Sequence, residues 1–216
     1  MRNPVIRKIL FIDLCDTLYP ENTTIGFIDN FYEEGAKLSR SRIVKIISKL
    51  IFYLTKYDLL RYFYIRKLYG VPRVRLLKDA QYYIDKLIPN EKILKLIGEY
   101  KKEGAELYLI SASLDPIVEV VAKKFEFTSY FSSSLLYENN GLCLGKLHSD
   151  ILGEKHTIIS KFRKENHNIA FITDNYSDSV CIDLCDDFYA VIPKNKKTKF
   201  WENKNVKLIV LSDHEQ

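Results

Sequence analysis

Four short stretches of this chain put oxygen-rich or charged side chains where an apolar run ends or a helix begins. They are Asp13 with Asp16 and Thr17, Ser111 with Ser113, Lys155, and Asp174 with Asp178. Singly each is ordinary, since a strand-terminal Asp is commonly a turn or cap residue. In chain order they describe phosphoryl transfer. One carboxylate attacks phosphorus and becomes an aspartyl phosphate. A divalent metal that neutralises the phosphate needs hard oxygen ligands, which two strand-terminal Asp side chains supply. A hydroxyl and exposed backbone N–H groups at a helix start hold the phosphoryl oxygens, and a lysine offsets the remaining charge.

The elements that must position these groups are legible in the apolar pattern. The pentapeptide IDLCD occurs twice, at Ile12–Asp16 and Ile182–Asp186. Before the first copy, residues 5–12 form a short apolar run bounded by Pro4, so Asp13 falls where a buried strand runs out. Ligands of open α/β sheets bind beyond the carboxyl ends of such strands. Around the second copy, Val180, Cys181, Leu184 and Cys185 make a helical stripe, which predicts a helix burying both cysteines. Asp183 falls on its opposite face, and Asp186 and Asp187 are expected solvated near its end. Only the first copy has the setting for chemistry.

Further strand-like runs are Glu106–Ile110, ending in Ser111-Ala112-Ser113, then Ile169–Thr173, Phe188–Ile192 and Lys207–Leu211. Helical segments alternate with them. One starts on Asn90 as N-cap and stops before Gly104; another opens at Asp115-Pro116. The expected fold is α/β, a Rossmann-like parallel sheet with helices on both faces. Two pieces interrupt the alternation. Residues 19–89 carry no convincing strand. They hold an amphipathic stripe (Ile43, Ile46, Ile47, Leu50, Ile51, Leu54), a helix over Asp58–Tyr69, and a third over Arg73–Ile88 stopped by Pro89. In residues 133–146, Asn140-Gly141 between apolar runs predicts a β-hairpin.

Composition narrows the classes. The 216 residues are 47% hydrophobic and 28% charged, which suits a packed domain and not a disordered chain. The four cysteines form no CxxC pair, so reduced thiols and a cytoplasmic setting are expected. No signal peptide and no transmembrane span are read. A net charge of +5 suits an anionic substrate without implying nucleic acid. The insertion interleaves Phe52, Tyr53, Tyr57, Tyr62, Phe63, Tyr64 and Tyr69 with Lys45, Lys49, Lys56, Arg61, Arg66 and Lys67. Such a surface can meet an anionic membrane or single-stranded nucleic acid. The reading preferred is packing against neighbouring helices with the lysines in water. None of the four histidines has ligand spacing.

These motifs resemble those of the haloacid dehalogenase (HAD) superfamily of phosphatases. IDLCDTL is similar to the first motif, DxDx[TV]; LISAS to the second; GEKHTII to the third; and FITDNYSD to the acidic fourth. The resemblance implies Asp13 as nucleophile, Thr17, Ser111 and Ala112 as substrate-binding residues, and Lys155, preferred over Lys146, as the phosphate-binding lysine. It implies Mg2+ held by Asp13, Asp174 and the backbone carbonyl of Cys15, with Asp178 in support. It also implies a core domain of residues 1–20 and 90–216, with residues 21–89 as a helical cap of the phosphoserine phosphatase-like branch and the hairpin as that branch's flap. One departure stands out. The second Asp of the first motif, which protonates the leaving alcohol and later activates water, is here Cys15. Asp16, the nearest carboxylate, becomes the candidate acid/base. Glu21, in a Glu-Asn-Thr spacing similar to that of phosphoethanolamine and phosphocholine phosphatases, is the candidate to attract an ammonium group. Thr23 or Thr24 can alternatively cap the next helix. The expected substrate is a small phosphorylated metabolite, an amino-alcohol or polyol phosphate. The alternative is a catalytically impaired HAD fold that only binds.

Overall fold

A computed structural model describes residues 6–32, 58–164, 167–193 and 197–211. Seven strands form one sheet, in the order β4-β3-β2-β1-β5-β6-β7. They are β1 (Lys8–Ile12), β2 (Glu106–Leu114), β3 (Ser129–Tyr137), β4 (Cys143–Ser149), β5 (Asn168–Thr173), β6 (Asp187–Ile192) and β7 (Lys207–Val210). All neighbours run parallel except β3 and β4. The α/β expectation therefore holds. The hydrophobic run of β1 is central and covered on both sides, which is why it does not alternate with polar residues. Its side chains still alternate between faces: Leu10 and Ile12 join one core cluster, Ile9 and Phe11 the other.

The helices are α1 (Thr23–Phe31), α2 (Leu59–Arg66), α3 (Arg73–Lys86), α4 (Glu91–Lys102), α5 (Asp115–Lys124) and α6 (Lys155–Lys164). Helices α1 to α5 bury their apolar faces in the first cluster; α6 contributes Ile159 to the second. Asn90 caps α4 by accepting from the Lys92 N–H, and Asp58 caps α2 by accepting from that of Arg61. Among the described residues, helices α1 to α4 lie between β1 and β2 in the chain. The stripe Ile43–Leu54 falls outside the described residues, as do Phe52, Tyr53, Tyr57, Lys45, Lys49 and Lys56. In α2, Tyr64 and Ile65 face inward while Phe63 is about half exposed.

The hairpin forms, but Tyr137 pairs with Cys143, so its loop is longer than a two-residue turn. The Asn140 side chain caps it by accepting from the Leu142 N–H, and Gly141 takes φ +82°. Unread in the sequence, the start of β3 also adds to the sheet, parallel to β2.

The structure corrects three local readings. The segment holding the second IDLCD is a 3-10 helix, Tyr176–Leu184, not an α-helix. Its tighter winding leaves Val180 exposed while Cys181 is buried. Asp186 is exposed as expected, and its carboxylate also accepts from the Ile169 N–H and pairs with Arg163. Asp187 opens β6 and pairs with Lys207. Strand β2 continues through the serines to Leu114 rather than stopping at Ile110, with a register break between Ser111 and Leu114. Asn22, not Thr23 or Thr24, is the N-cap of α1, since its side chain accepts from the Ile25 N–H.

Candidate active site

Three parallel strands bring their carboxyl ends together at mid-sheet: β1 delivers Asp13, β2 delivers Ser111 to Ser113, and β5 delivers Thr173 and Asp174. The first turn of α6 delivers Lys155. Asp13, Asp174, Asp178 and Lys155 are all buried. The Lys155 Nζ stands 2.7 Å from Asp13 Oδ2 and 2.7 Å from Asp178 Oδ2. The Thr173 hydroxyl donates to Asp178 Oδ2 at 2.7 Å and reaches Asp13 Oδ2 at 3.4 Å. Asp13 Oδ1 accepts from the Leu14 N–H. Lys146, the competing lysine, is exposed on β4.

The electrostatics follow from the burial. Two buried carboxylates, Asp13 and Asp178, share one buried amine, and the charge of Asp174 also reaches Asp13. Burial pushes the Asp13 carboxyl up to about 6; Lys155 opposes this, while Asp178 and Asp174 add to it. Burial works against the Lys155 cation too, but Asp13 and Asp178 outweigh it and hold the amine protonated above its usual range. The cluster is thus short of positive charge. Mg2+ suits that shortage, and Asp13 offers it a hard oxygen; Asp174 is buried close by but does not line the adjoining cavity, its N–H and Oδ1 both bonded to the Thr17 hydroxyl. Among the described residues no group of three metal-ligating side chains converges. Magnesium commonly uses one or two carboxylates and completes its shell with water and substrate phosphate.

Asp13, Cys15, Ser111, Ala112, Ser113, Lys155 and Asp178 line a cavity of about 210 Å3, with Asn22, Thr24, Asp58 and Arg61 among the residues across it. Ser111 accepts from the Ser113 N–H at 3.2 Å. The register break at Ala112 and Ser113 interrupts the strand ladder there, as bulges near functional sites commonly do. The Ala112 carbonyl is taken by Arg61 Nη2 at 2.6 Å.

Several sequence-predicted residues sit elsewhere than their expected roles require. Asp16 adopts φ 53° and is not among the cavity-lining residues. A left-handed turn conformation, which Asp tolerates better than most residues, turns it away. Cys15 faces the cavity in its place. The Cys15 Sγ lies 3.2 Å from Ser113 Oγ and 3.3 Å from Thr23 Oγ1. Burial, and then the charge of Asp13, push this thiol above its ordinary value, so it stays neutral. Only its carbonyl is suited to the metal. Thr17 does not reach the cavity either. It accepts from the Asp174 N–H at 2.9 Å and so ties the β1 loop to the β5 loop. Glu21 is likewise off the cavity wall, and its carboxylate accepts a hydrogen bond from the Tyr83 hydroxyl. One Glu21 oxygen is thus engaged outside the cavity.

Sequence reasoning missed Arg61, Asp150 and Thr173. Arg61 is buried and bonds Asp150 Oδ2 at 2.6 Å as well as the Ala112 carbonyl. In sequence it is one basic residue among many in a helical stripe. Thr173 closes an apolar strand and carries no signal beyond that position.

A family model described as haloacid dehalogenase-like hydrolase matches residues 10–182. This chain belongs to the haloacid dehalogenase-like hydrolases. No curated protein matches it significantly. Among solved structures it is similar to a phospho-aspartyl intermediate analogue of phosphoserine phosphatase (19% identity, TM-score 0.67, covering 94% of this chain and 93% of that one). A substrate-bound phosphoserine phosphatase complex is similar at 18% identity, TM-score 0.67, with 94% and 92% covered. A protein of unknown function from Bordetella pertussis Tohama I is similar at 13% identity, TM-score 0.75, with 95% and 99% covered. At these identities the likeness is one of fold. No described helix is long and apolar enough to cross a membrane.

Proposed function

We propose that this hydrolase is a Mg2+-dependent phosphatase that cleaves phosphomonoesters through an aspartyl phosphate on Asp13. The observation that carries the reading is the buried Lys155, shared between Asp13 and Asp178 at the floor of a cavity beyond the sheet's carboxyl edge. The charge shortage there suits a phosphate bound together with a cation.

Asp13 attacks phosphorus, an O–P bond forms, and the ester P–O bond breaks as the alcohol leaves. Water then cleaves the acyl phosphate, releasing phosphate and restoring Asp13. Lys155 offsets charge on the phosphoryl oxygens, and the Ser111 hydroxyl holds one of them. Asp178 and Thr173 hold Lys155 and Asp13 in register. Thr17 holds Asp174. Asp13, Asp174 and the Cys15 carbonyl would hold Mg2+, which would neutralise charge at the phosphate. The neutral Cys15 thiol is a poor acid for an alkoxide, so esters with good leaving groups are the better substrates.

The test is phosphate release from a panel of esters with Mg2+ and then with EDTA. Release that survives EDTA removes the metal from the proposal, and no release from any ester removes the phosphatase.

A further inference from the structure

A second cavity of about 340 Å3 adjoins the catalytic one and shares Asp58, Arg61 and Leu152 with it. The rest of its wall comes from Tyr62 and Ile65 of α2, from Gly145, Lys146 and Leu147 of β4, and from Asp150. The polar groups at the junction are already engaged. The Arg61 guanidinium bonds Asp150 and the Ala112 carbonyl, and the Asp58 carboxylate accepts the Arg61 N–H at 3.0 Å. What remains for a ligand is largely hydrocarbon.

This wall is preformed. The turn after α2 is stitched to β4 by backbone bonds, Gly70 N–H to the Cys143 carbonyl at 2.8 Å and Cys143 N–H to the Val71 carbonyl at 3.0 Å. Gly145 lets β4 approach α2 closely: it takes φ +60°, and a Cβ there would stand 3.0 Å from the Arg66 carbonyl oxygen. A preformed, mostly apolar cleft of a few hundred Å3 is the usual form of a small-molecule site. The acidic groups of this cavity, Asp58 and Asp150, are matched by Arg61 and Lys146, so an ammonium group meets no excess of negative charge on this wall.

We infer that this cavity receives the alcohol part of the phosphomonoester, and that this alcohol is compact and hydrocarbon-rich rather than an amino-alcohol or polyol. The inference rests on the phosphatase reading for the position of the phosphate. It extends that reading from a reaction to a substrate class.

Non-hydrolysable alkylphosphonates separate the two. The full chain with MgCl2 is titrated calorimetrically with methyl-, butyl-, hexyl- and dodecylphosphonate. Affinity is expected to rise roughly two- to fourfold per methylene, on the order of a hundredfold from methyl to hexyl, and then to level off as the cavity fills. Leu147→Asp, and separately Leu152→Asp at a more exposed position, should bring the hexyl-to-methyl ratio close to one. Equal binding of methyl- and hexylphosphonate overturns the apolar subsite and leaves the phosphate site standing. A gain that continues undiminished to dodecyl overturns the compact alcohol. A chain-length gain untouched in both variants places the alkyl group elsewhere. Binding of none of the probes overturns this inference together with the reading beneath it.

Discussion

Lys155 and Asp13 meet at 2.7 Å inside the protein, one from the first turn of α6 and the other from the end of β1, with Asp178 at 2.7 Å on the same ammonium. Replacing the one cation of such a buried group leaves its carboxylates uncompensated. Lys155→Met should cost about 3–5 kcal/mol of stability, read as a lower urea midpoint, with turnover lost. The double variant Asp13→Asn/Lys155→Met should recover part of that loss, because one stranded charge is gone. No recovery in the double variant would show that the two residues do not act as a pair.

Asp13→Asn should abolish turnover and phosphoenzyme formation with the fold intact. Asp183→Asn, the twin position in the repeated pentapeptide, should keep near-normal turnover, since Asp183 is exposed on the 3-10 helix. Comparable losses from both would contradict the assignment of chemistry to the first copy alone.

The raised carboxyl of Asp13 has a stability consequence in the metal-free protein. Its folded value of about 6 lies above the ordinary 3.8, so the folded state holds the proton more tightly than the unfolded chain does. Ionising Asp13 therefore weakens the fold progressively as pH rises through that window, and fully above it. In EDTA, Asp13→Asn should melt higher than the parent at pH 7.5, with the gap closing towards pH 4. A gap independent of pH would show that the carboxylate is not strained by its surroundings.

Asp174→Ala should raise the Mg2+ concentration needed for half-maximal turnover steeply, because it removes an anionic oxygen ligand. Thr17→Val should do so more mildly, because Thr17 holds Asp174 through the 2.9 Å bond to its N–H. An unchanged Mg2+ requirement in Asp174→Ala would take Asp174 out of the site.

The missing acid is testable at two adjacent positions. Asp16→Asn should leave turnover within about twofold, because Asn also tolerates the left-handed conformation and Asp16 does not line the cavity. Cys15→Asp puts a carboxylate where Ser113 and Thr23 can donate to it. It should speed poor-leaving-group esters by roughly 10²-fold or more, as general acids do, and p-nitrophenyl phosphate much less. A large loss in Asp16→Asn, with no gain in Cys15→Asp, would return the acid role to Asp16.

Five of the seven strands, most helix boundaries and the candidate residues Asp13, Ser111, Lys155, Asp174 and Asp178 are legible in the sequence alone. Each lies at the end of an apolar run or the start of a helix, and that punctuation is local. It reads from a few neighbours, because strand burial and helix capping depend on short spacings. Only the tertiary structure decided which neighbours face one another. Asp16 and Cys15 are adjacent in the chain, yet one φ of 53° sends the carboxylate away and leaves the thiol in the cavity. Glu21 lies a few residues past the first motif, yet its carboxylate accepts from Tyr83, sixty-two residues away in the chain. Arg61, one basic residue in an amphipathic stripe, proved to reach Ala112 across the insertion. Backbone turns and long-range side-chain partners carry no periodic signal. They arise when distant elements pack, and packing is a property of the folded whole.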